Sequence, residues 1–185
     1  MCKQQGVVEE IKKGNKKKRA IHHDTIVFLI VIFFLAFFAS HPVSGMSMYP
    51  TYHNGQRTYG MRFYPFSLHT GDVVTAYANG KLLIKRVAAG PGDTFTITTD
   101  GKAYVNGQEY AYGAGRMNTE NTFAGMMNTE NTFAGMTKDT DGNYTITLKK
   151  NEYYLIGDNH ENSLDSRYVG PVSRIQILEK TFLVK

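Results

Sequence analysis

The amino-acid sequence predicts a mostly β fold, in which an N-terminal transmembrane helix precedes a coiled antiparallel β-sheet or barrel domain. The helix is predicted by an uncharged, largely apolar run over residues 25–40. The β domain is predicted by short segments rich in β-branched and aromatic residues, which alternate with turn pairs after Pro42. No apolar pattern after Ser40 keeps the helical period for three turns. At 185 residues, the chain has room for one anchor and one domain of modest size.

The first element is a basic tail over residues 1–24. The formal net charge of the chain is +5, and the tail contributes +4 of it through seven basic and three acidic side chains. The part after the apolar run is nearly neutral, with 14 basic and 13 acidic side chains. Because a nucleic-acid-binding domain carries its basic patch on the folded part, we expect no nucleic-acid partner. The single cysteine, Cys2, excludes an intrachain disulfide bond.

The second element is the predicted transmembrane anchor, residues 25–41. Its uncharged run of 16 residues would form a helix of about 24 Å, whereas the hydrocarbon core of a bilayer is about 30 Å thick. Flanking residues must then lie at the interfaces, or the bilayer must thin locally. The basic tail places the N-terminus of this single-pass chain in the cytoplasm. A cleaved signal peptide is the alternative, but a cut after Ala36, Ala39 or Ser40 leaves phenylalanine at −3, where a small residue is needed.

The third element is the domain of residues 42–185, in which turn pairs mark the strands. Asn79-Gly80 separates two apolar segments, residues 72–77 and 81–87, and this pattern is typical of a β-hairpin. Further strands are predicted at residues 94–98, 103–105, 144–148, 153–156 and 175–184.

A tandem duplication lies within this domain: the ten residues MNTENTFAGM at 117–126 are repeated without change at 127–136. Ten residues are too few for a solenoid unit, and the Asn, Thr and Gly content predicts an exposed loop. Loops tolerate insertion because the entropy of closure grows slowly with length. We favour a harmless duplication, and the alternative is a flexible contact with a substrate or partner through Met and Phe.

A serine and a lysine are the candidate catalytic residues. Ser47 lies in the segment SGMSMYPT (residues 44–51), and its hydroxyl needs a base before it can act as a nucleophile. Of the six histidines, His22 and His23 lie before the predicted anchor, His160 lies within the segment of residues 157–167 considered below, and the other three lie in no recognisable catalytic setting. Lys85, in the segment IKRVAAGPGD (residues 84–93), has apolar neighbours on both faces of its strand, and burial would lower its pKa. Alternation does not choose between Lys85 and Arg86, but a guanidinium stays charged, so Lys85 is the candidate base and Arg86 a candidate for a structural ion pair.

With a third segment, GDNHENSLDSR at residues 157–167, the set closely resembles the type I signal peptidases. These are membrane-anchored serine proteases of the peptidase S26 family, here in a Gram-positive-like bacterial form. The family pattern Gly-x-Ser-Met-x-Pro-Thr implies that Ser47 is the nucleophile and Lys85 its base. Some members have a serine two residues before the nucleophile that helps to hold the oxyanion. Because this chain has Gly45 there, the resemblance implies backbone N–H donors, with that of Ser47 among them.

The resemblance also assigns roles to the third segment. It implies that Ser163 hydrogen-bonds the lysine, that Asp165 and Arg167 pair to hold the loop, and that Asp158 pairs with Arg86.

The function implied by the resemblance is a serine endopeptidase of protein secretion. It would cleave N-terminal signal peptides from exported preproteins after small residues at −3 and −1, at the outer surface of the cell membrane. We expect signal peptides and the lipid bilayer as partners, and no metal or other cofactor. The alternative is a catalytically idle, signal-peptidase-like factor that assists the assembly of exported surface proteins, which the intact serine and lysine disfavour. Two further alternatives are a self-cleaving repressor, which would carry a DNA-binding domain instead of an anchor, and a plain anchored binding domain.

Overall fold

The computed structural model describes residues 22–62, 67–117 and 133–185. Helix α1 covers residues 22–37. The chain divides into two compact units, of which the first ends at Phe38 and the second is Ala39–Lys185. In chain order, the strands are β1 (Phe38–Pro42), β2 (Arg57–Met61), β3 (Val73–Ala78), β4 (Lys81–Ala89), β5 (Thr94–Ile97), β6 (Ala103–Val105), β7 (Gln108–Glu109), β8 (Thr137–Lys138), β9 (Tyr144–Thr147), β10 (Glu152–Ile156), β11 (Val172–Ser173) and β12 (Ile177–Val184). Helix α2 (Ser166–Val169) and a 3-10 helix (Arg174–Gln176) are short.

Helix α1 has exposed apolar side chains along its length, from Ile26 to Leu35. Aromatic rings four residues apart stack on its surface, as Phe33 does on Phe37. The anchor predicted over residues 25–41 is helical only to residue 37, because Phe38–Pro42 forms strand β1 beside β2. Pro42 favours extended backbone in the residue before it, which opposes further helix. In the described ranges, no helix combines the length and apolar character needed to cross a membrane.

Two antiparallel sheets make up the second unit. The larger has seven strands in the order β1-β2-β12-β3-β4-β10-β11, and the smaller has five in the order β7-β6-β5-β9-β8. Both sheets are open in the described part of the chain, so the mostly β, antiparallel prediction is confirmed but a closed barrel is not formed. The short edge strands β7, β8 and β11, and the pair β1 and β2, were not predicted from the sequence.

The predicted hairpin is confirmed as β3 and β4, which pair from Val73 opposite Arg86 to Ala78 opposite Lys81. Its turn residues Asn79 and Gly80 have φ values of 49° and 72°. These left-handed angles fit a two-residue hairpin turn, which explains the Asn-Gly pair. The predicted strands of the smaller sheet are also present, since β5 pairs with both β6 and β9.

Strand β4 contributes to two hydrophobic cores. Val87 packs in one core with Val74, Leu155 and others, whereas Ala88 and Ala89 pack in the other, around Phe95 and Tyr154. The expectation that this strand is buried on both faces therefore holds for its C-terminal half. Its N-terminal half is more open, and Leu82 is 44% exposed.

The described ends of the duplicated segment are buried, so the expectation of an exposed loop is wrong for them. Met117, Phe133 and Met136 belong to the core around Phe95. The Phe133 ring packs edge-to-face on that of Tyr144, at a centroid distance of 4.8 Å. Burial of these apolar side chains outweighs the local preference of the sequence for a loop. Residues 118–132 of the predicted loop lie outside the described residues, as do residues 1–21 of the predicted tail.

Candidate active site

The structure brings Ser47 and Lys85 into direct contact. Ser47 lies in the loop that follows β1, and Lys85 lies in the middle of β4. The Nζ atom of Lys85 is 2.7 Å from Oγ of Ser47 and donates a second hydrogen bond to the Ile84 carbonyl at 3.1 Å. In this arrangement a neutral amine can accept the proton of the Ser47 hydroxyl.

Lys85 is deeply buried, with 3% of its surface exposed. Burial is the largest influence on its ammonium group and lowers the pKa of Lys85 from 10.5 to about 8. The negative charges of Asp165 and Asp158 oppose this shift, whereas Arg167 adds to it. A pKa of about 8 keeps a useful fraction of the lysine neutral near physiological pH.

The backbone of Ser47 is held by Asn159, a residue with no role predicted from the sequence. Its N–H donates to the Ser47 carbonyl at 3.0 Å, and its Nδ2 donates to the Met46 carbonyl at 3.1 Å. On the other side of the loop, Gly45 donates its N–H to Oδ1 of Asn54 at 2.9 Å and has a φ of 91°. This left-handed conformation favours glycine at position 45. The only sequence signal for Asn159 was its place in the segment of residues 157–167, because its contacts are with residues far away in the sequence.

Arg86 and Asp158 form the ion pair that the sequence suggested. Nε and Nη2 of Arg86 donate to the two carboxylate oxygens of Asp158 at 2.8 and 2.6 Å. The third guanidinium nitrogen, Nη1, donates to the Gly71 carbonyl at 2.7 Å. Tyr112 covers the guanidinium, whose carbon lies 5.1 Å from the ring centroid. The pair is therefore bidentate, and its carboxylate is shielded from water because Asp158 is only 1% exposed.

Asp165 and Arg167 form a second, fully buried pair, and neither has exposed surface. Both carboxylate oxygens of Asp165 accept from Arg167, each at 2.9 Å. The Gly157 N–H also donates to Asp165, at 3.0 Å, and this bond ties the two ends of the loop together. Burial alone would raise the pKa of Asp165, but the charge and hydrogen bonds of Arg167 outweigh it and hold that pKa below its usual value. Asp165 also caps the short helix α2.

Ser163 is buried in the same loop, but it does not make the hydrogen bond to Lys85 that the resemblance implies. Within the described residues its Oγ makes no well-formed hydrogen bond, but it acts on the Asp165 carboxylate and helps to lower the pKa of that group. The Lys85 amine is bonded to Ser47 and Ile84 instead. The Ser163 side chain packs against Gly157, where a Cβ atom would overlap Ser163 and come within 2.5 Å of the Ser47 carbonyl oxygen. Residue 157 must therefore be glycine to let the two loops approach.

Within the described ranges, no group of three or more His, Cys, Asp or Glu side chains could hold a metal ion.

Comparisons with known proteins agree on one family. The family profile described as "Signal peptidase, peptidase S26" matches residues 18–184. Signal peptidase I V of Bacillus subtilis (strain 168) is 33% identical over 146 residues, which cover 77% of this chain and 83% of that protein. Signal peptidase I of Streptococcus pneumoniae serotype 4 is 28% identical over 157 residues, 72% of this chain and 75% of that protein. A solved structure of a signal peptidase I from Enterococcus faecalis V583 covers 62% of this chain and 97% of its own, at 22% identity and a TM-score of 0.41, too low to add to the assignment.

Proposed function

The chain belongs to the signal peptidase family, peptidase S26, and from this membership we propose that it removes N-terminal signal peptides from exported preproteins as a serine endopeptidase. The observation that carries the proposal is the 2.7 Å contact between Oγ of Ser47 and Nζ of the buried Lys85. A charged lysine on a protein surface cannot activate a serine, whereas a desolvated lysine with a pKa of about 8 can.

In the proposed reaction, neutral Lys85 takes the proton from Ser47 Oγ as that oxygen attacks the scissile carbonyl. When the tetrahedral intermediate collapses, the C–N bond breaks and the Lys85 ammonium returns the proton to the leaving amine. A water molecule, activated by the same lysine, then hydrolyses the acyl-enzyme.

The oxyanion of this intermediate needs a hydrogen-bond donor, and the Ser47 backbone N–H is suited to the role. It donates to no acceptor in the described part of the chain. Gly45, where some family members have a serine, has no side chain to offer, so the donors must come from the backbone.

An extended substrate can bind beside the catalytic lysine along an open strand edge. Strand β10 ends at Ile156, opposite Arg86, so residues 81–84 of β4 have a partner only on the β3 side within the described residues. A peptide main chain can add to such an edge by strand pairing, which would present its scissile bond to Ser47. We propose that the signal peptide binds along this edge of β4 with small residues at its −3 and −1 positions, as the family resemblance implies.

Membrane attachment is a further part of the proposal. We propose that the helical part of the predicted anchor, residues 25–37, attaches the chain to the membrane as a single pass, with the N-terminus in the cytoplasm and the catalytic domain at the outer surface. The exposed apolar side chains of α1 and the +4 charge of residues 1–24 support this arrangement. An anchored protease meets the cleavage site of an anchored leader at a high effective concentration.

The test is cleavage of a purified preprotein by the full-length protein in detergent. We expect the mature protein and a free signal peptide, with the cut after a small residue, and N-terminal sequencing of the product locates it. Ser47→Ala and Lys85→Ala should each abolish the cut. Binding of the preprotein without cleavage by the wild-type chain would overturn the proposal and favour the idle assembly factor.

A further inference from the structure

A short segment of backbone, residues 112–115, lies across the loop that holds the nucleophile, and we call this segment the strap. The Ala114 N–H donates to the Asp158 carbonyl at 2.7 Å, and the His160 N–H donates back to the Ala114 carbonyl at 3.1 Å. Ala114 and Asn159 thereby form an isolated parallel bridge. The strap also supplies Tyr112, which covers the Arg86 guanidinium.

His160 adds a side-chain bond to this junction. The residue is 7% exposed, and Nδ1 of its ring lies 3.0 Å from the Gly115 carbonyl oxygen. Because a carbonyl can only accept, Nδ1 carries the hydrogen. Nε2 has no hydrogen-bond partner among the described residues and faces Gly113, where a Cβ atom would collide with it.

This geometry fits a neutral imidazole. Burial, the largest influence, lowers the pKa of His160, and the charge of Arg167 lowers it further. The hydrogen bond to Gly115 and the carboxylates of Asp165 and Asp158 oppose the shift. Neutral His160 with its hydrogen on Nδ1 makes the bond to the strap without a proton on the buried Nε2, where no acceptor is available.

The main chain of His160 is tied to the other end of the same loop. Its carbonyl accepts from Nη1 of Arg167 at 2.8 Å, and Arg167 is paired with buried Asp165. His160 therefore has three fixed points: its N–H and ring on the strap, and its carbonyl on the Asp165–Arg167 pair. The residue before it is Asn159, which holds the Met46 and Ser47 carbonyls.

We propose that His160 is a positioning residue for the reaction: its Nδ1–H fastens the loop to the strap, so that Asn159 holds the Ser47 backbone at the distance from Lys85 at which proton transfer occurs. The inference rests on the proposed function, because it concerns the same serine and lysine. An imidazole that only filled space would be replaceable by leucine, whose side chain has a similar volume. A positioning role requires a hydrogen-bond donor at the Nδ1 position, where it meets the Gly115 carbonyl.

Two amide substitutions distinguish a role as hydrogen-bond donor from a role in filling space. In His160→Asn, the side-chain NH₂ can occupy the position of Nδ1 and donate to the Gly115 carbonyl. In His160→Gln, the NH₂ is one bond further out, near the position of Nε2, where no acceptor lies. His160→Leu keeps the bulk of the side chain and removes both nitrogens.

The experiment measures kcat and KM for preprotein cleavage, and the melting temperature, of the wild-type full-length protein and these three variants. We expect His160→Asn to keep at least half of the wild-type kcat. His160→Gln and His160→Leu should lose about tenfold or more in kcat at nearly unchanged KM, because the misplaced nucleophile affects the chemical step and not substrate binding. If His160→Leu does not fold, the comparison of the two amide variants decides alone.

Equal kcat values for His160→Asn and His160→Gln would overturn the inference, as would a wild-type kcat in His160→Leu. A fall in melting temperature with an unchanged kcat would assign His160 to folding alone and overturn it too. Absence of cleavage by the wild-type protein is a different result, since it rejects the proposed function before any variant is compared.

Discussion

At the scale of single residues, the proposed mechanism makes the reactivity of the site depend on the fraction of Lys85 that is neutral. Only the neutral amine can accept the serine proton, so kcat/KM should rise with pH and level off above the lysine pKa of about 8. At pH 7, about one tenth of the plateau value is expected, with a further tenfold loss at pH 6.

The measurement is preprotein cleavage between pH 6 and pH 10, with the melting temperature followed over the same range as a control for unfolding. A flat profile would contradict a lysine base. Lys85→Arg should be inactive at every pH, because guanidinium stays charged.

A second prediction at this scale concerns the charge left behind when an ion pair is broken. Arg86→Ala removes two hydrogen bonds from Asp158, which is 1% exposed and cannot regain water. We expect the free energy of unfolding to fall by about 3–5 kcal/mol, measured by denaturant titration.

The matched control is Arg57→Ala, since the exposed Arg57 donates through Nε to the Ser40 hydroxyl at 3.2 Å. Its loss should change the free energy of unfolding by less than about 1 kcal/mol. Equal effects of the two substitutions would show that the buried pair contributes no more to stability than a surface contact.

At the scale of elements, the duplicated segment can be shortened without losing its attachment to the core. The described residues that attach it to the core come from its two ends. They are Met117, the first residue of the first copy, and Phe133 and Met136 near the end of the second copy. Each copy begins with Met and ends with Phe-Ala-Gly-Met. After deletion of residues 127–136, the remaining copy can supply both ends, and halving the segment changes closure entropy by only about 0.6 kcal/mol. The melting temperature and the rate of bulk cleavage should therefore stay close to wild type.

Deletion of both copies is the contrasting variant. It removes Met117, Phe133 and Met136 from the core, each at a cost of about 2–5 kcal/mol, which should abolish folding as judged by circular dichroism. Loss of all cleavage on deletion of a single copy would contradict this account. Loss for one exported protein with normal cleavage of a model leader peptide would make the segment a recognition element.

Features that depend on residues close together in the sequence could be predicted, whereas features that depend on long-range contacts could not. Local turn chemistry at Asn79-Gly80 predicted the hairpin correctly, because it depends on two residues and their neighbours. The end of α1 was not predictable, since the apolar run continues through Phe38 and Ala39, and pairing of β1 with β2 decides it. The role of Asn159 was missed for the same reason, because its bond to Ser47 spans more than a hundred residues. The motifs identified the residue types, but long-range packing determines which of them meet.

At the scale of the whole molecule, three separate parts of the chain converge on the larger sheet. Ser47 follows β1, Lys85 lies within β4, and the loop of residues 157–165 follows β10, which neighbours β4. Two ion pairs and the Asn159 bonds fix that loop against the backbone around Ser47. The serine can thus be held in place before substrate arrives, and such preorganisation is a main source of catalytic rate.

The proposed orientation in the membrane is the prediction that belongs to the whole chain. A signal peptide has its cleavage site at the outer surface, so Ser47 and Lys85 must lie there for the enzyme to reach it. Residues 1–24 carry a net charge of +4 and the part after the apolar run only +1, and basic residues stay preferentially on the cytoplasmic side. Protease added to intact spheroplasts should therefore digest residues 42–185 and leave the tail protected, with tail cleavage only after detergent permeabilisation as the control.

Replacing the six basic residues at positions 12, 13, 16, 17, 18 and 19 by glutamine leaves the tail with a net charge of −2, which removes the bias. A fraction of that variant should then have its domain protected from outside protease, and preprotein cleavage in cells should fall in proportion. Protection of the wild-type domain, with an accessible tail, would invert the topology and separate the serine from its substrates.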